Sequence, residues 1–329
     1  MSRYVERAEN VARFIDVNYN LTLGHTETLQ EQWAPLVYTT GDQGLFATLY
    51  PTPTRENVLR FLAFDEENPN SILSCLQRAR ENARTIREVI SSPMWEEVNK
   101  FFHLVRNAAR DNSILDQPYD FCAHVKRSSH LLVGVTDGTM SHGEAWHFAR
   151  MGRLLERADK TSRIVDVQYF ILLPDPHDVG TTLDVVRWSA LLKSASALEM
   201  YRRVHGPIVP TKVADFLILD RQFPRSIHFC LIKAHASLSR ITGTGEGSFR
   251  NRSEQRLGLL RSEVDYTDIN DIVDRGMHEF IDHFQTRLNQ IGDAICNDFF
   301  AAKPAAPSTN GQTQSQSQGK QGQSQSHNG

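Results

Sequence analysis

Residues 3–20 read RYVERAENVARFIDVNYN, and residues 153–170 read RLLERADKTSRIVDVQYF. At an offset of 150 residues the two stretches agree at Arg3/Arg153, Glu6/Glu156, Arg7/Arg157, Ala8/Ala158, Arg13/Arg163, Asp16/Asp166, Val17/Val167 and Tyr19/Tyr169. The agreement falls mostly on charges. Apolar positions have drifted, as at Val5/Leu155, Phe14/Ile164 and Ile15/Val165, and cores accept such exchanges when volume is roughly kept. On a helical wheel at about 100° per residue, Tyr4, Val5, Ala8, Val11, Ala12, Ile15 and Tyr19 share the arc that must pack on a core. Glu6, Glu9, Asn10 and Arg13 lie largely opposite, with Arg3 and Arg7 alongside. Glu9/Arg13 and Asp159/Arg163 are i, i+4 pairs.

A second block repeats in the same order. VLRFLAFDEENPNSILSCLQRA (58–79) aligns with VADFLILDRQFPRSIHFCLIKA (213–234), with coincidences that include Phe61/Phe216, Asp65/Asp220, Pro69/Pro224, Ser71/Ser226 and Cys75/Cys230. Average usage gives roughly one or two matches in such a window. The sequence therefore predicts an internal duplication with a period too long for a solenoid. The expected organisation is a first helical half over 1–140, a second over 141–300 packed with it as one domain, and a tail over 301–329. The second copy carries HGEAWHFARMG ahead of Arg153, whereas Met1 and Ser2 alone precede Arg3, so the first helix is expected to be clipped at its start.

Everything between these blocks agrees with an all-α fold. Apolar residues recur at three- and four-residue intervals over 71–90, 95–109, 145–173 and 267–295, and TTGDQG, PTPT, ENPN, LPDPHD, HGPIVP and TGTGEGS read as the turns between helices. Beyond Phe300 the chain becomes Gln-, Ser- and Gly-rich, without apolar anchors, which predicts disorder. A net charge of −3 over 329 residues, with acids interleaved among the arginines, argues against a nucleic-acid footprint. No apolar run approaches the ~20 residues of a membrane span, and a cytoplasmic location is expected. Cys75, Cys122, Cys230 and Cys296 are far apart and have no zinc spacing. They are expected to be buried thiols in a reducing compartment.

A solvated ladder of ion pairs tolerates exchange among Lys, Gln, Ser and Glu, so it gives no reason for two diverged copies to keep Glu, Arg, Arg and Asp. Two alternatives remain: a buried network that fixes the meeting of the halves, or a cleft lined by both copies. With LERAD…SR…D, SRYVERAENVARF, NPNSILSCLQRARENARTIREVISSPMWEEVN (68–99), WSALLKSASALEMYRR (188–203) and FLILDRQFPRSIHFCL (216–231), the chain resembles the alpha-E domain family of bacterial all-helical proteins over nearly all of residues 1–300. The resemblance implies a setting beside an ATP-grasp-type protein and a transglutaminase-like peptidase, in the synthesis or modification of small peptides. It implies no catalytic mechanism.

The residues themselves suggest that Arg3, Arg7, Arg13, Arg153, Arg157 and Arg163 bind carboxylate or phosphate groups bidentately. Arg225 and Ser226, in FPRS (223–226), add an anion-binding helix start whose plainer reading is packing and capping. Glu6 and Glu156 would orient these arginines or accept an amine. In an enzymatic alternative, Glu156 is a general acid or base and Arg157 stabilises developing charge in amide or ester transfer; in a structural one, the charges only glue the halves together. No cofactor is implied. EAWH (144–147) has the Glu-x-x-His spacing of di-iron bundles but lacks a second copy, and GTGEGS (243–248) lacks the strand and lysine of a phosphate loop. Asn68-Pro69 reads as an N-cap followed by the first helical residue.

Overall fold

The computed structural model describes residues 1–23, 33–170, 182–245, 247–301 and Gly329. The expected disordered tail, the LPDPHD turn and the side chain of Tyr169 lie outside what is described. Within it there are sixteen α-helices and no strand. The first eight are α1 (Ser2–Leu23), α2 (Ala34–Thr40), α3 (Gln43–Leu49), α4 (Arg55–Ala63), α5 (Ile72–Thr85), α6 (Ser92–Asp111), α7 (Ser113–Asp116) and α8 (Pro118–Thr139). The second eight are α9 (Glu144–Phe170), α10 (Thr182–Ser194), α11 (Leu198–His205), α12 (Pro210–Leu219), α13 (Ile227–Thr242), α14 (Arg252–Asp265), α15 (Ile269–Arg275) and α16 (Met277–Phe299).

Packing in the two sets runs parallel. α1 packs on α5 and α8 as α9 packs on α13 and α16, and α5 packs on α6 as α13 packs on α14. The exchange across the middle is reciprocal: α1 lies against α9, α2 crosses to α9, and α10 crosses to α1. A single hydrophobic cluster runs through both sets, with Phe61, Phe101, Trp188, Tyr201 and Phe284 among its fully buried members. The face of α1 opposite its apolar arc is buried too. Glu6, Glu9, Asn10, Arg13 and Asp16 are all withdrawn from solvent, so α1 is a central helix and its polar side faces protein.

Local chemistry explains most of the helix ends. Ser71 and Ser226 are the N-caps of α5 and α13, accepting from the amides of Ser74 and Phe229 at 3.1 Å each. The cap of α5 is therefore three residues later than Asn68-Pro69 suggests. Asn68 is fully buried and has another job: its amide donates to the Phe61 carbonyl, and its oxygen accepts from the Asn70 amide, bracing the turn between α4 and α5. The continuous helix expected over 267–295 breaks at Gly276, whose φ of 100° lies outside helical space, between α15 and α16. The helix expected over 71–90 stops at Thr85, and Ile86, Val89 and Ile90 form a short turn segment before Ser91 caps α6. Cys75, Cys122 and Cys230 are buried as expected, but Cys296 is exposed, because it falls off the buried stripe of α16 formed by Met277, Ile281, Phe284, Leu288 and Ile291.

Candidate functional site: a buried Glu-Arg crossing and the cavity beside it

The two Glu-Arg motifs meet where α1 crosses α9, and they exchange partners. Arg7 donates to Glu156 through Nε at 2.6 Å and Nη2 at 3.1 Å. Arg157 donates to Glu6 through Nε and Nη2, both at 2.8 Å. Each arginine thus forms a fork with the carboxylate of the other motif, the reciprocity that a two-fold axis between the helices demands. Arg3 adds a third donor to Glu156 at 3.0 Å. Both carboxylates are essentially inaccessible, Glu6 at 1% and Glu156 at 0%.

Burial alone would raise the carboxyl pKa values of Glu6 and Glu156. The guanidiniums outweigh it, Arg157 and Arg225 at Glu6, and Arg7 with Lys160 and Arg3 at Glu156, so both titrate below the ordinary glutamate value. The same crossing raises Arg7 and Arg157 above the usual arginine value against the pull of desolvation. Glu6 and Glu156, which the sequence offers as acid or base, therefore stand as ionised anchors with their oxygens committed to arginine.

Around this crossing the two sides differ. On the α1 side, Arg225 enters from the start of α13. Its Nη1 donates to Glu6 and Asn10 at 3.1 and 3.2 Å, and its Nη2 to Glu9 at 2.5 Å. Glu9 also holds Arg13 through Nε and Nη2 at 2.8 and 2.6 Å, accepts from Ser129 at 2.6 Å, and lies 3.2 Å from His130 Nε2. Arg13 continues to the Ser196 hydroxyl. This side is filled with protein donors, and Arg225 is itself 8% exposed, its pKa lowered to about 10 by burial despite Glu6 and Glu9.

On the α9 side the 155-residue offset places Asn70 opposite Arg225, and the 150-residue offset places Lys160 opposite Asn10. Asn70 accepts from Arg7 Nη1 at 2.6 Å and donates to Asp42 at 2.7 Å. It is too short to reach the position that the Arg225 guanidinium takes on the other side. A cavity of about 210 Å³ results, lined by Arg3, Arg7, Asn70, Asp159, Lys160 and Arg163, with Thr40 and Asn289 at its edge. Lys160, only 5% exposed, sits 3.2 Å from Asp159 and 3.9 Å from Glu156, and Arg163 Nε donates to Asp159 at 3.0 Å. Four cations thus face three carboxylates, Asp159 in the wall, Glu156 behind it and Asp42 behind Asn70, and one positive charge is left over for a ligand.

The remaining sequence candidates are elsewhere. Arg153 borders a small cavity of about 20 Å³ next to Glu6, where its Nε has no hydrogen-bond partner; that volume suits a single water. The Ser226 hydroxyl is used twice, accepting from Phe229 and donating to the Asp220 carbonyl, so it is a cap. Among the described residues, no group of three His, Cys, Asp or Glu side chains could hold a metal, and no helix is long and apolar enough to cross a membrane. Sequence reasoning overlooked Lys160, Asn70, Ser129 and His130. A signal existed for the first two: they are the positions where the repeats disagree beside residues that they share.

An acid limit follows from this geometry. Asp159 is held at about 2, burial being overcome by Lys160 and Arg163, and Glu6, Glu9 and Glu156 are also lowered. The unfolded chain, with carboxyl values of about 4, takes up protons first as pH falls. The stabilisation is therefore complete above about pH 4 and is lost as pH drops through the folded values. Urea midpoints measured at stepped pH should fall steeply between about pH 4 and 2; midpoints that hold constant down to pH 2 would show that these ion pairs contribute nothing.

Comparisons agree with this architecture. Residues 1–300 match Alpha-E, described as a predicted alpha-helical domain with a conserved ER motif. Uncharacterized proteins of Mycobacterium bovis (strain AF2122/97) and Mycobacterium tuberculosis (strain H37Rv) are each 22% identical over 291 residues, covering 80% of this chain and 31% of their own length. The chain thus spans about a third of these curated relatives. No solved structure matches. A match across residues 1–300, whose two Glu-Arg pairs, Glu6-Arg7 and Glu156-Arg157, lock together at the centre of an all-helical fold, places this chain in the Alpha-E family.

Proposed function

We propose that the chain is a binding component, without catalytic chemistry of its own, in an ATP-grasp-linked system for making or modifying small peptides, and that it holds a carboxylate or phosphate group in the cavity beside Arg7. The observation carrying the binding role is the cation excess in a polar cavity that the same fold closes, on its other side, with Arg225. The setting, with an ATP-grasp-type protein and a transglutaminase-like peptidase as partners, rests on the family resemblance alone, and a reducing cytoplasm rests on the cysteine spacing and the lack of a membrane-length apolar run in the sequence. In this reading the fold arose by doubling of an eight-helix unit, which then diverged into one plugged side and one open side. Arg3, Arg7, Lys160 and Arg163 receive the anion; Glu6, Glu156, Arg157 and Arg225 hold the crossing rigid. A general acid role for Glu156 is disfavoured, because its lowered pKa leaves no proton to deliver near neutral pH.

The test converts the open side into the closed one. Asn70→Arg combined with Lys160→Asn copies the residues of the plugged side, Arg225 and Asn10. Titrated with inorganic phosphate by calorimetry, the unaltered chain is expected to bind one equivalent. The double variant should keep its helical circular dichroism and lose at least about tenfold in affinity, the loss of one or two charge-assisted hydrogen bonds. Equal binding by both proteins, or none by the unaltered chain, removes the reading.

A further inference from the structure

The two helices that cross between the sets, α2 and α10, end alike. At the 155-residue offset Trp33 meets Trp188, Leu36 meets Leu191, Gly41 meets Ser196 and Phe46 meets Tyr201. Both tryptophans are buried. Phe46 packs edge-on against Phe61, as Tyr201 packs edge-on against Phe216, the residue that matches Phe61. The backbone agrees as well. Gly41, at φ 80°, and Ser196, at φ 50°, are both left-handed. On the first arm the Gly41 amide donates to the Tyr38 carbonyl and the Asp42 amide to that of Val37. On the second the Ser196 amide donates to the Lys193 carbonyl and the Ala197 amide to that of Leu192, the matching positions. The turns thus share their hydrogen bonding and differ at the cap by one side chain. Serine holds this conformation at 196, so the turn alone does not require glycine at 41.

That side chain decides what becomes of an arginine. α10 lies against α1, and the Ser196 hydroxyl accepts from Arg13 Nη1. Glu9 accepts from Arg13 Nε and Nη2, and His130 Nε2 lies 3.1 Å from Nη2. Every nitrogen of Arg13 therefore has a partner, and its side chain is only 7% exposed. α2 lies against α9, where Arg163 holds the place of Arg13. Arg163 Nη1 stands 3.0 Å from the position that a Cβ on Gly41 would take. Glycine gives it nothing to bond. Arg163 Nε donates to Asp159, and among the described residues neither Nη1 nor Nη2 finds an acceptor, while the side chain stays 26% exposed. The outer edge of Arg163 is a bare pair of donors at the cavity that it lines with Lys160.

Two features of that edge select a ligand. A guanidinium edge presents two N–H groups in one plane, the match for the two oxygens of a carboxylate. Lys160 and Arg163 both reach Oδ2 of Asp159, at 3.2 and 3.0 Å, so a group paired with Arg163 also lies near the lysine ammonium. The charge count acts separately. With one positive charge left over around the cavity, a monoanion neutralises it. A dianion would bring a second negative charge, without a partner, into a partly enclosed space, and burial penalises that. We propose that Gly41 creates the anion site by leaving Arg163 unpaired, and that the site takes a single carboxylate, held by the outer edge of Arg163 with Lys160 beside it, in preference to a doubly charged oxyanion. This rests on the anion-binding reading above and adds the ligand's chemical class, its charge and the residue that admits it. Gly41 is a positioning residue, acting only through Arg163.

Calorimetric titration of the full chain with acetate, sulfate and inorganic phosphate tests this. Acetate should bind about tenfold more tightly than sulfate, a dianion of phosphate's shape, because sulfate carries one uncompensated charge. Gly41→Ser offers Arg163 the hydroxyl that Ser196 gives Arg13. It should keep the helical circular dichroism and weaken acetate about tenfold, as for the loss of a charge-assisted hydrogen bond. Gly41→Ala carries the same Cβ in the same left-handed turn without the hydroxyl. The flexible end of Arg163 can give way to it, so acetate affinity should stay within about threefold of the unaltered chain. Ser196→Gly, on the other arm, should leave acetate affinity unchanged. Sulfate binding as tightly as acetate overturns the choice of a carboxylate. Gly41→Ala binding as weakly as Gly41→Ser shows that bulk, not pairing of Arg163, controls the site, and overturns the role of Gly41. Phosphate and acetate binding that Gly41→Ser leaves unchanged sinks this inference and spares the cavity; no binding of either anion by the unaltered chain removes both.

Discussion

Truncating Glu156 to alanine is expected to lower the unfolding free energy by about 3–5 kcal/mol, the cost of breaking a buried ion pair by removing one partner. The carboxylate is fully buried and accepts from Arg3 and twice from Arg7, with Lys160 at 3.9 Å. Its removal leaves Arg7, half-buried and still charged, with Asn70 as its remaining close acceptor. The loss is a large fraction of the roughly 5–15 kcal/mol that holds a typical domain together. Glu144→Ala, at the exposed start of the same helix, should change stability by less than about 0.5 kcal/mol. Urea unfolding of the two variants side by side decides the matter. A Glu156→Ala midpoint equal to that of Glu144→Ala would mean that the Glu-Arg crossing is not a structural lock. The same reasoning makes paired Glu6→Gln and Glu156→Gln changes a poor assay of function: they attack the joint of the fold before they reach any ligand.

The sequence carries the crossing further than it carries the cavity. Charge retained at Glu6, Arg7, Glu156 and Arg157 while Val5, Phe14 and Ile15 drifted already demanded a shared environment, and the reciprocal forks supply it. The i, i+4 pairs Glu9–Arg13 and Asp159–Arg163 form at 2.6 and 3.0 Å, as helix periodicity alone requires. Partners outside the local helix were hidden. Ser129 and His130 reach Glu9 from α8, and Ser196 reaches Arg13 from the turn after α10, contacts set by tertiary packing with no periodic trace. Gly276 was visible as a residue but not as a break, since a glycine within a helical pattern is often tolerated. The cavity was least legible because it comes from a difference between the copies. Asn70 against Arg225 reads as drift until Arg225 is seen filling the space that Asn70 leaves empty.

That difference carries the second large prediction. Arg225→Ala is expected to cost about 3 kcal/mol or more, because it strips a buried cation from between Glu6 and Glu9 and leaves the Asn10 side-chain oxygen without its donor. Asn70→Ala, at the matching position of the other side, removes two hydrogen bonds to charged partners, Arg7 and Asp42, but no charge, and should cost about 1.5–3 kcal/mol, less than the loss of Arg225. The acid response should separate them as well. Without Arg225 the burial penalty at Glu6 and Glu9 is less opposed, their carboxyl values rise toward the unfolded ones, and the stability that they lend begins to disappear at higher pH than in the unaltered chain. Asn70→Ala leaves every charge of its side in place, so its acid limb should overlie that of the unaltered protein. Equal costs for the two substitutions, with superimposable pH profiles, would make the sides energetically equivalent. The argument that one side of the doubled motif became a strut and the other an open seat for an anion would then have no basis.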